Sequence, residues 1–309
     1  MISAIPDQMD AIFEEYRAII PDFSGFQGSL QRPMCTHLRI NRLRIEPRSL
    51  LDRLERKGVK LERSSKIDDS LFFAPGLTSP GNLPEYFSGY LHPQALTSCL
   101  AAIALDPAPE SFVLDLCAAP GGKTSHVAQL MGNTGLIIAN ELYPGRHAGL
   151  GHTLSRLGVL NTIVTGYQAQ QFPMKQRFDY VLADVPCSGE GRFRKIGENG
   201  FYQTRKSKLK LPDLQKKILL RGFDLLKEDG VLLYATCTYN PDENESVIQH
   251  LLTERDARLL PVVTGVSCEP GLTKWRGRRY DVQIRKSARF YPHRLDSVGF
   301  FMARIGRRT

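Results

Sequence analysis

From about residue 106 onward, short apolar runs alternate with helical stretches, and this alternation restricts the fold more than any other feature of the chain. The strand-like runs are 112–116, 136–139, 161–165, 180–183, 231–235 and 300–305, and helical stretches such as 125–131 and 214–226 fall between them. Strands separated by helices predict a mostly parallel, doubly wound α/β sheet. Sheets of that kind bind ligands at the carboxyl ends of their strands. The unusual residues of this sequence gather there. Asp115 and the turn Cys117-Ala118-Ala119-Pro120-Gly121-Gly122-Lys123-Thr124 follow the first run, and Glu141 follows the second. Asp184-Val185-Pro186-Cys187 follows the fourth, and Thr236-Cys237-Thr238 follows the run at 231–235. Core packing gives no reason for such a bias, whereas a shared crevice does.

The 117–124 turn joins a strand to a helix. Gly121 and Gly122 let a ligand approach the backbone closely, and the helix N-terminus offers free N–H groups to a carboxylate or phosphate. The ending Gly-Gly-Lys-Thr suggests a phosphate-binding loop, but the glycine that motif needs at position 117 is Cys117. An acid ending the second strand commonly accepts hydrogen bonds from ribose hydroxyls, so Glu141 and the glycine turn together suit a nucleoside with a charged tail, such as S-adenosylmethionine. Asn240 and Pro241 read as the start of a helix, with Glu243 completing a capping box. A helix beginning just beyond Cys237 would stabilise its thiolate.

With 309 residues, of which 42% are hydrophobic and 24% charged, the chain is long enough for about two domains of ordinary globular composition. Residues 1–105 are expected to form a smaller α+β accessory region, with an amphipathic helix through Leu50, Leu51 and Leu54 ending near Gly58; residues 106–309 form the catalytic domain. The sequence contains no apolar run of membrane-spanning length and no signal-like N-terminus, so a cytoplasmic protein without a membrane partner is expected. The six cysteines show no C-x-x-C spacing, so no metal site is expected and the thiols should be reduced.

The net charge of +9 is unevenly spread. Residues 274–309 hold 11 Lys and Arg against Asp281 and Asp296; residues 32–66 hold 11 against four acids; residues 192–210 hold seven against Glu198. Such clusters point to a polyphosphate surface, and therefore to nucleic acid as a partner. Tyr280, Phe290 and Tyr291 interleave with arginines and could stack on bases, or belong to the core.

Three strings, LDLCAAPGGKT (114–124), ADVPCSGEG (183–191) and YATCTYNPDENE (234–245), together with the tail YPHRLDSVGFF (291–301), resemble the RNA (cytosine-5) methyltransferases. That family includes bacterial ribosomal-RNA enzymes and their eukaryotic relatives. The resemblance spans roughly residues 30–305 and implies a Rossmann-type, S-adenosylmethionine-dependent core. It implies cofactor contacts from Cys117 to Lys123, from Glu141 and from Asp184, with Gln168 standing where the family often has Asp or Asn. It implies Cys237 as the nucleophile, Cys187 as the cysteine that helps release product, and Asp184 and Lys123 as groups acting on the base. Ribosomal RNA is the expected substrate and transfer RNA the alternative. Two other readings stay open: a DNA cytosine-5 methyltransferase, whose nucleophile would be Cys187, and an RNA-binding module on an inactive methyltransferase fold.

Overall fold

A computed structural model describes residues 13–194 and 205–308. In the N-terminal part, β1 (Thr36–Ile40), β2 (Glu62–Arg63), β3 (Leu71–Ala74) and β4 (Leu91–Pro93) form an antiparallel sheet in the order β2-β3-β1-β4. The expected amphipathic helix is Pro47–Glu55, which buries Leu50 and Leu54 against Leu38, Ile40, Phe72 and Leu91. Each such side chain removed from water contributes about 1.5–3 kcal/mol. The chain then turns through Gly58 at a φ of +77°, a conformation that favours glycine.

The large sheet is built on β5 (Phe112–Asp115), β6 (Leu136–Asn140), β7 (Thr162–Thr165), β8 (Phe178–Asp184) and β9 (Leu226–Thr236), all parallel to their neighbours in the order β7-β6-β5-β8-β9. The long strand Phe300–Arg307 returns antiparallel beside β9, and three short strands extend that edge. From β5 the chain passes to β6 and β7 on one side, then crosses to β8 and β9 on the other. This reversal opens a crevice at the carboxyl ends of β5 and β8.

Both faces of the sheet are covered. Helices Arg205–Asp224 and Glu245–Glu254 bury Ile218, Leu219, Phe223, Val247 and Leu251 against Leu114, Val181 and Leu232. On the other face Leu96–Leu105 and Gly122–Leu130 pack on Val113, Leu182, Leu233 and Met302. The helix Leu96–Leu105, which the sequence reading grouped with the N-terminal region, thus packs as part of the large sheet's own core.

The N-terminal region is not a detached body either. Phe13, Tyr16 and Phe26 share an aromatic cluster with Phe193, Tyr239, Trp275 and Tyr291. The small sheet docks through Arg39, which is fully buried and donates to Gln94 Oε1 (3.2 Å), Gln129 Oε1 (2.5 Å) and Ser125 Oγ (2.8 Å). Three acceptors offset much of the cost of burying that guanidinium.

His126, on the helix that starts at the crevice, lies in the same interface. Its Nε2 is 3.6 Å from Asp68 Oδ2, beyond a hydrogen bond, so burial dominates and pushes the imidazole down to about 4. A depressed imidazole contributes stability that is fully present above the unfolded-state value near 6.5 and is lost as pH falls toward 4. Between pH 7 and pH 5 this one ring should remove about 2 kcal/mol of stability. Denaturant titrations of the wild type and His126→Gln at both pH values check this. The variant's pH difference should be smaller by about that amount, and an identical difference in the two proteins would show that His126 is not responsible.

Candidate active site

Asp115 closes β5 and is buried at the floor of the crevice. It accepts from Thr124 Oγ1 at 2.7 Å and from the Cys117 backbone N–H at 3.3 Å, which pins the 117–124 turn to the strand end. Burial raises its carboxyl to about 7, against the lowering effect of the Thr124 hydrogen bond. Gly121 initiates the helix Gly122–Leu130 with a φ of +101°. A Cβ there would meet Leu150 Cδ1 at 3.1 Å and Thr153 Cβ at 3.2 Å, so the packing is tight and the backbone angle itself favours glycine. The turn borders an open cleft of about 160 Å³. Cys117, Ala118, Ala119, Pro120, Gly122 and Lys123 line one side, Asp115 and Asp184 the floor, and His92, Pro93, Gln94 and Ser98 the opposite wall. Those last four come from the end of the small sheet and the helix after it; no motif in the sequence pointed to them.

Glu141 is buried just past β6. Its carboxylate pairs with Arg146 (2.9 Å) and accepts from the Tyr143 N–H (3.0 Å), while Arg146 also donates to the Ala119 carbonyl (2.7 Å). The acid and the turn are therefore held together, with lone pairs still available on the carboxylate. Gln168 is exposed beyond β7 and accepts from Gln170 Nε2 at 2.8 Å. Neither Glu141 nor Gln168 borders the 160 Å³ cleft itself. Asn140, which sequence reading passed over, braces this edge by bonding to Leu116, Thr165 and Tyr167.

The two cysteines meet. Asp184 stands opposite Ala235 in the β8–β9 register, so the loops carrying Cys187 and Cys237 leave the sheet side by side. The sulfurs are 3.3 Å apart, and the Cys237 backbone N–H also points to Cys187 Sγ at 3.3 Å. The hydrogen bond from Cys187 lowers the Cys237 thiol; Arg192 and Lys123 assist, against burial and Asp184. That same bond, with burial, drives Cys187 well above its ordinary value. The two thiols are therefore unequal: Cys237 gives up its proton more readily than an ordinary cysteine and Cys187 less readily. Lys123 Nζ sits 2.6 Å from Asp184 Oδ2. Burial works against the lysine charge, but Asp184 and Cys237 outweigh it and raise its pKa.

Several local expectations need correction. The helix after Cys237 begins at Glu245, not at Pro241, so its N-terminus is not what stabilises the thiolate. Asn240 instead heads a turn, accepting from the Asp242 N–H at 2.9 Å. Glu243 makes no capping box with a helix start. It is buried and accepts from the Ser188 N–H and Gln215 Nε2, both at 2.9 Å, which braces the Cys187 loop. Asn244 caps the helix in its place, but its side chain bonds Thr236 and Thr238. Phe290, Tyr291 and Arg289 are core residues and cannot stack on a base. In the basic clusters Arg39, Arg194 and Arg289 are buried, and much of 192–210 lies outside the described residues. Lys274, Arg276, Arg278, Arg279 and Arg285 remain exposed.

A further network was missed because its members read as ordinary loop polars. Tyr16 and Thr238 hydroxyls both donate to Glu190 Oε2 at 3.0 Å, and Ser188 Oγ donates to Thr238 Oγ1 at 2.7 Å. It ties the N-terminal segment to both cysteine loops. Among the described residues no group of three or more His, Cys, Asp or Glu could hold a metal ion, and no helix is long and apolar enough to cross a membrane.

The sequence profile of the family described as 16S rRNA methyltransferase RsmB/F matches residues 102–306. The human 28S rRNA (cytosine(4447)-C(5))-methyltransferase is 39% identical over 280 residues, which are 88% of this chain and 34% of that protein. The tRNA (cytosine(49)-C(5))-methyltransferase of Pyrococcus abyssi is 35% identical over 297 residues, 93% of this chain and 92% of that one. A crystal structure of a methyltransferase homolog from Pyrococcus horikoshii matches with a TM-score of 0.85 at 32% identity, covering 96% of this chain and 95% of the other. The chain thus spans about a third of the human relative and nearly all of the archaeal ones.

Proposed function

The chain belongs to the 16S rRNA methyltransferase RsmB/F family, and from that premise we propose that it methylates carbon 5 of a cytosine in RNA, using S-adenosylmethionine. The observation that carries this reading is the pair of sulfurs 3.3 Å apart beside the Lys123–Asp184 ion pair at the crevice of the sheet.

Carbon 5 of cytosine is a weak nucleophile. Attack of the Cys237 thiolate on carbon 6 makes the ring an enamine and carbon 5 reactive. S-adenosylmethionine, when bound, supplies an electrophilic methyl group. The residues that would hold it are the Cys117–Lys123 turn, Glu141 and Asp184, with Gln168 as a contact to its adenine. The donor set fits: glycine-lined backbone N–H groups suit a carboxylate, and a buried, anchored acid suits ribose hydroxyls. Asp184 interacts with N3 and the exocyclic amine of the base, and Lys123 orients Asp184 and the base. Cys187 removes the carbon 5 proton, directly or through water, so that the Cys237 bond can break. Once Cys237 is bonded to carbon 6 the thiol interaction that most raises Cys187 is lost, so Cys187 can shed its own proton to water and then act as the base. The base must leave its stack to reach the crevice. Residues 106–309 carry this chemistry, while residues 1–105 and the exposed arginines bind the RNA backbone, with affinity that falls steeply as salt rises.

Ribosomal RNA is the substrate favoured here, because the SGEGRFRK string at 188–195 and the matched family both lean that way. The test is incubation with methyl-labelled S-adenosylmethionine and separated ribosomal and transfer RNA, followed by mapping of 5-methylcytosine. Label at a cytosine of ribosomal RNA is expected. Label in transfer RNA alone would move the substrate to that class, and cofactor binding without transfer to any RNA would support an inactive binding module.

A further inference from the structure

His92 faces the 117–124 turn from the small sheet, and its ring is fixed in one protonation form. Arg156 Nη2 lies 2.9 Å from His92 Nδ1. A guanidinium can only donate, so Nδ1 must accept and the ring hydrogen must sit on Nε2. Arg156 is itself immobilised: it donates to the Tyr86 and Leu91 carbonyls at 2.6 and 3.2 Å and stacks 3.8 Å over the Tyr86 ring. Burial, with Arg39 and Arg156 close by, drives the imidazole down to about 3, so the ring stays neutral through the working pH range. His92 Nε2 lies 3.3 Å from where a Cβ on Gly122 would stand, at the first turn of the helix Gly122–Leu130, and His92 lines the cleft. Among the described residues Nε2 has no hydrogen-bond acceptor.

A fixed neutral donor beside the unpaired N–H groups of a helix N-terminus forms a site for a carboxylate. Lys123, the cation lining the same cleft, is already committed to Asp184. We propose that His92, held by Arg156, binds the carboxylate of the cofactor's amino-acid tail and so places the tail against Gly122. This assignment rests on the cofactor reading above and adds a residue from the small sheet to that site. It also gives the small sheet a part in methyl transfer beyond contact with RNA.

Calorimetric titration with two probes tests it: S-adenosylhomocysteine, which carries the tail, and 5′-deoxy-5′-methylthioadenosine, which lacks it. His92→Phe keeps the ring's bulk and removes the donor, while His92→Gln keeps a donor. The phenylalanine variant should bind S-adenosylhomocysteine about ten- to a hundredfold more weakly, the range for a hydrogen bond to a charged group. It should bind methylthioadenosine as the wild type does, and the glutamine variant should recover part of the loss. Equal losses for both probes would show that His92 merely supports the wall, and unchanged binding of both would show that it is idle; either result overturns the proposal. Failure of the wild type to bind S-adenosylhomocysteine would instead overturn the cofactor reading on which the proposal stands.

Discussion

Replacing Cys237 with alanine is expected to lower methyl transfer to RNA by at least about a thousandfold, the scale seen when a catalytic nucleophile is deleted. Without a sulfur at this position nothing in the crevice can add to carbon 6. Cys187 is the nearest substitute, but with its Cys237 partner gone burial still raises its thiol and disfavours the thiolate. The fold should survive, because Cys237 is only partly buried and the change removes one small group. The measurement is the initial rate of label incorporation, with thermal unfolding as a control. A variant retaining a tenth or more of the wild-type rate would show that Cys237 is not the nucleophile.

The second large effect concerns stability. Arg289 and Glu245 are both buried, 2% and 0% exposed at their side chains, and pair through two hydrogen bonds, Nε to Oε1 at 2.6 Å and Nη2 to Oε2. Arg289 also donates to the Tyr239 carbonyl at 3.0 Å, so the pair joins the strand Ala288–Phe290 to the loop that follows Cys237. Methionine at 289 would leave a buried carboxylate with, among the described residues, only the Leu272 N–H, 3.0 Å from Oε1, to satisfy it. Breaking a buried pair in this way costs about 3–5 kcal/mol. Adding Glu245→Gln should return a good part of that, because the orphaned charge disappears. Denaturant unfolding of the two single variants and the double variant checks the cycle. A loss below about 1 kcal/mol in Arg289→Met would mean that the pair is not holding the loop.

The part of the site that lies at strand ends could be read before any coordinates. Asp115, Glu141, Asp184 and the two cysteine loops each follow an apolar run, and period and punctuation locate such runs well. The 117–124 turn was legible for the same reason, since two glycines between a strand and a helix leave few alternatives. What could not be read was set by contacts between distant segments. Asn240-Pro241 carries every local sign of a helix start, yet Glu243 is drawn off by Ser188 and Gln215, so the helix begins at Glu245. Phe290 and Tyr291 interleave with arginines, and of the two roles the sequence left open to them, burial in an aromatic cluster and under the sheet bears out the core. The wall formed by His92 and Gln94 has no local signature at all, because it exists only once the small sheet docks through Arg39.

The central claim is that Cys237 attacks and Cys187 releases. Wild type, Cys187→Ala and Cys187→Ala/Cys237→Ala should each be incubated with S-adenosylmethionine and RNA, then resolved under denaturing conditions to detect protein joined to RNA. The account predicts an adduct that accumulates in Cys187→Ala and is absent when Cys237 is also removed. An adduct that persists without Cys237, and disappears in Cys187→Ala, would assign the attack to Cys187 and contradict it.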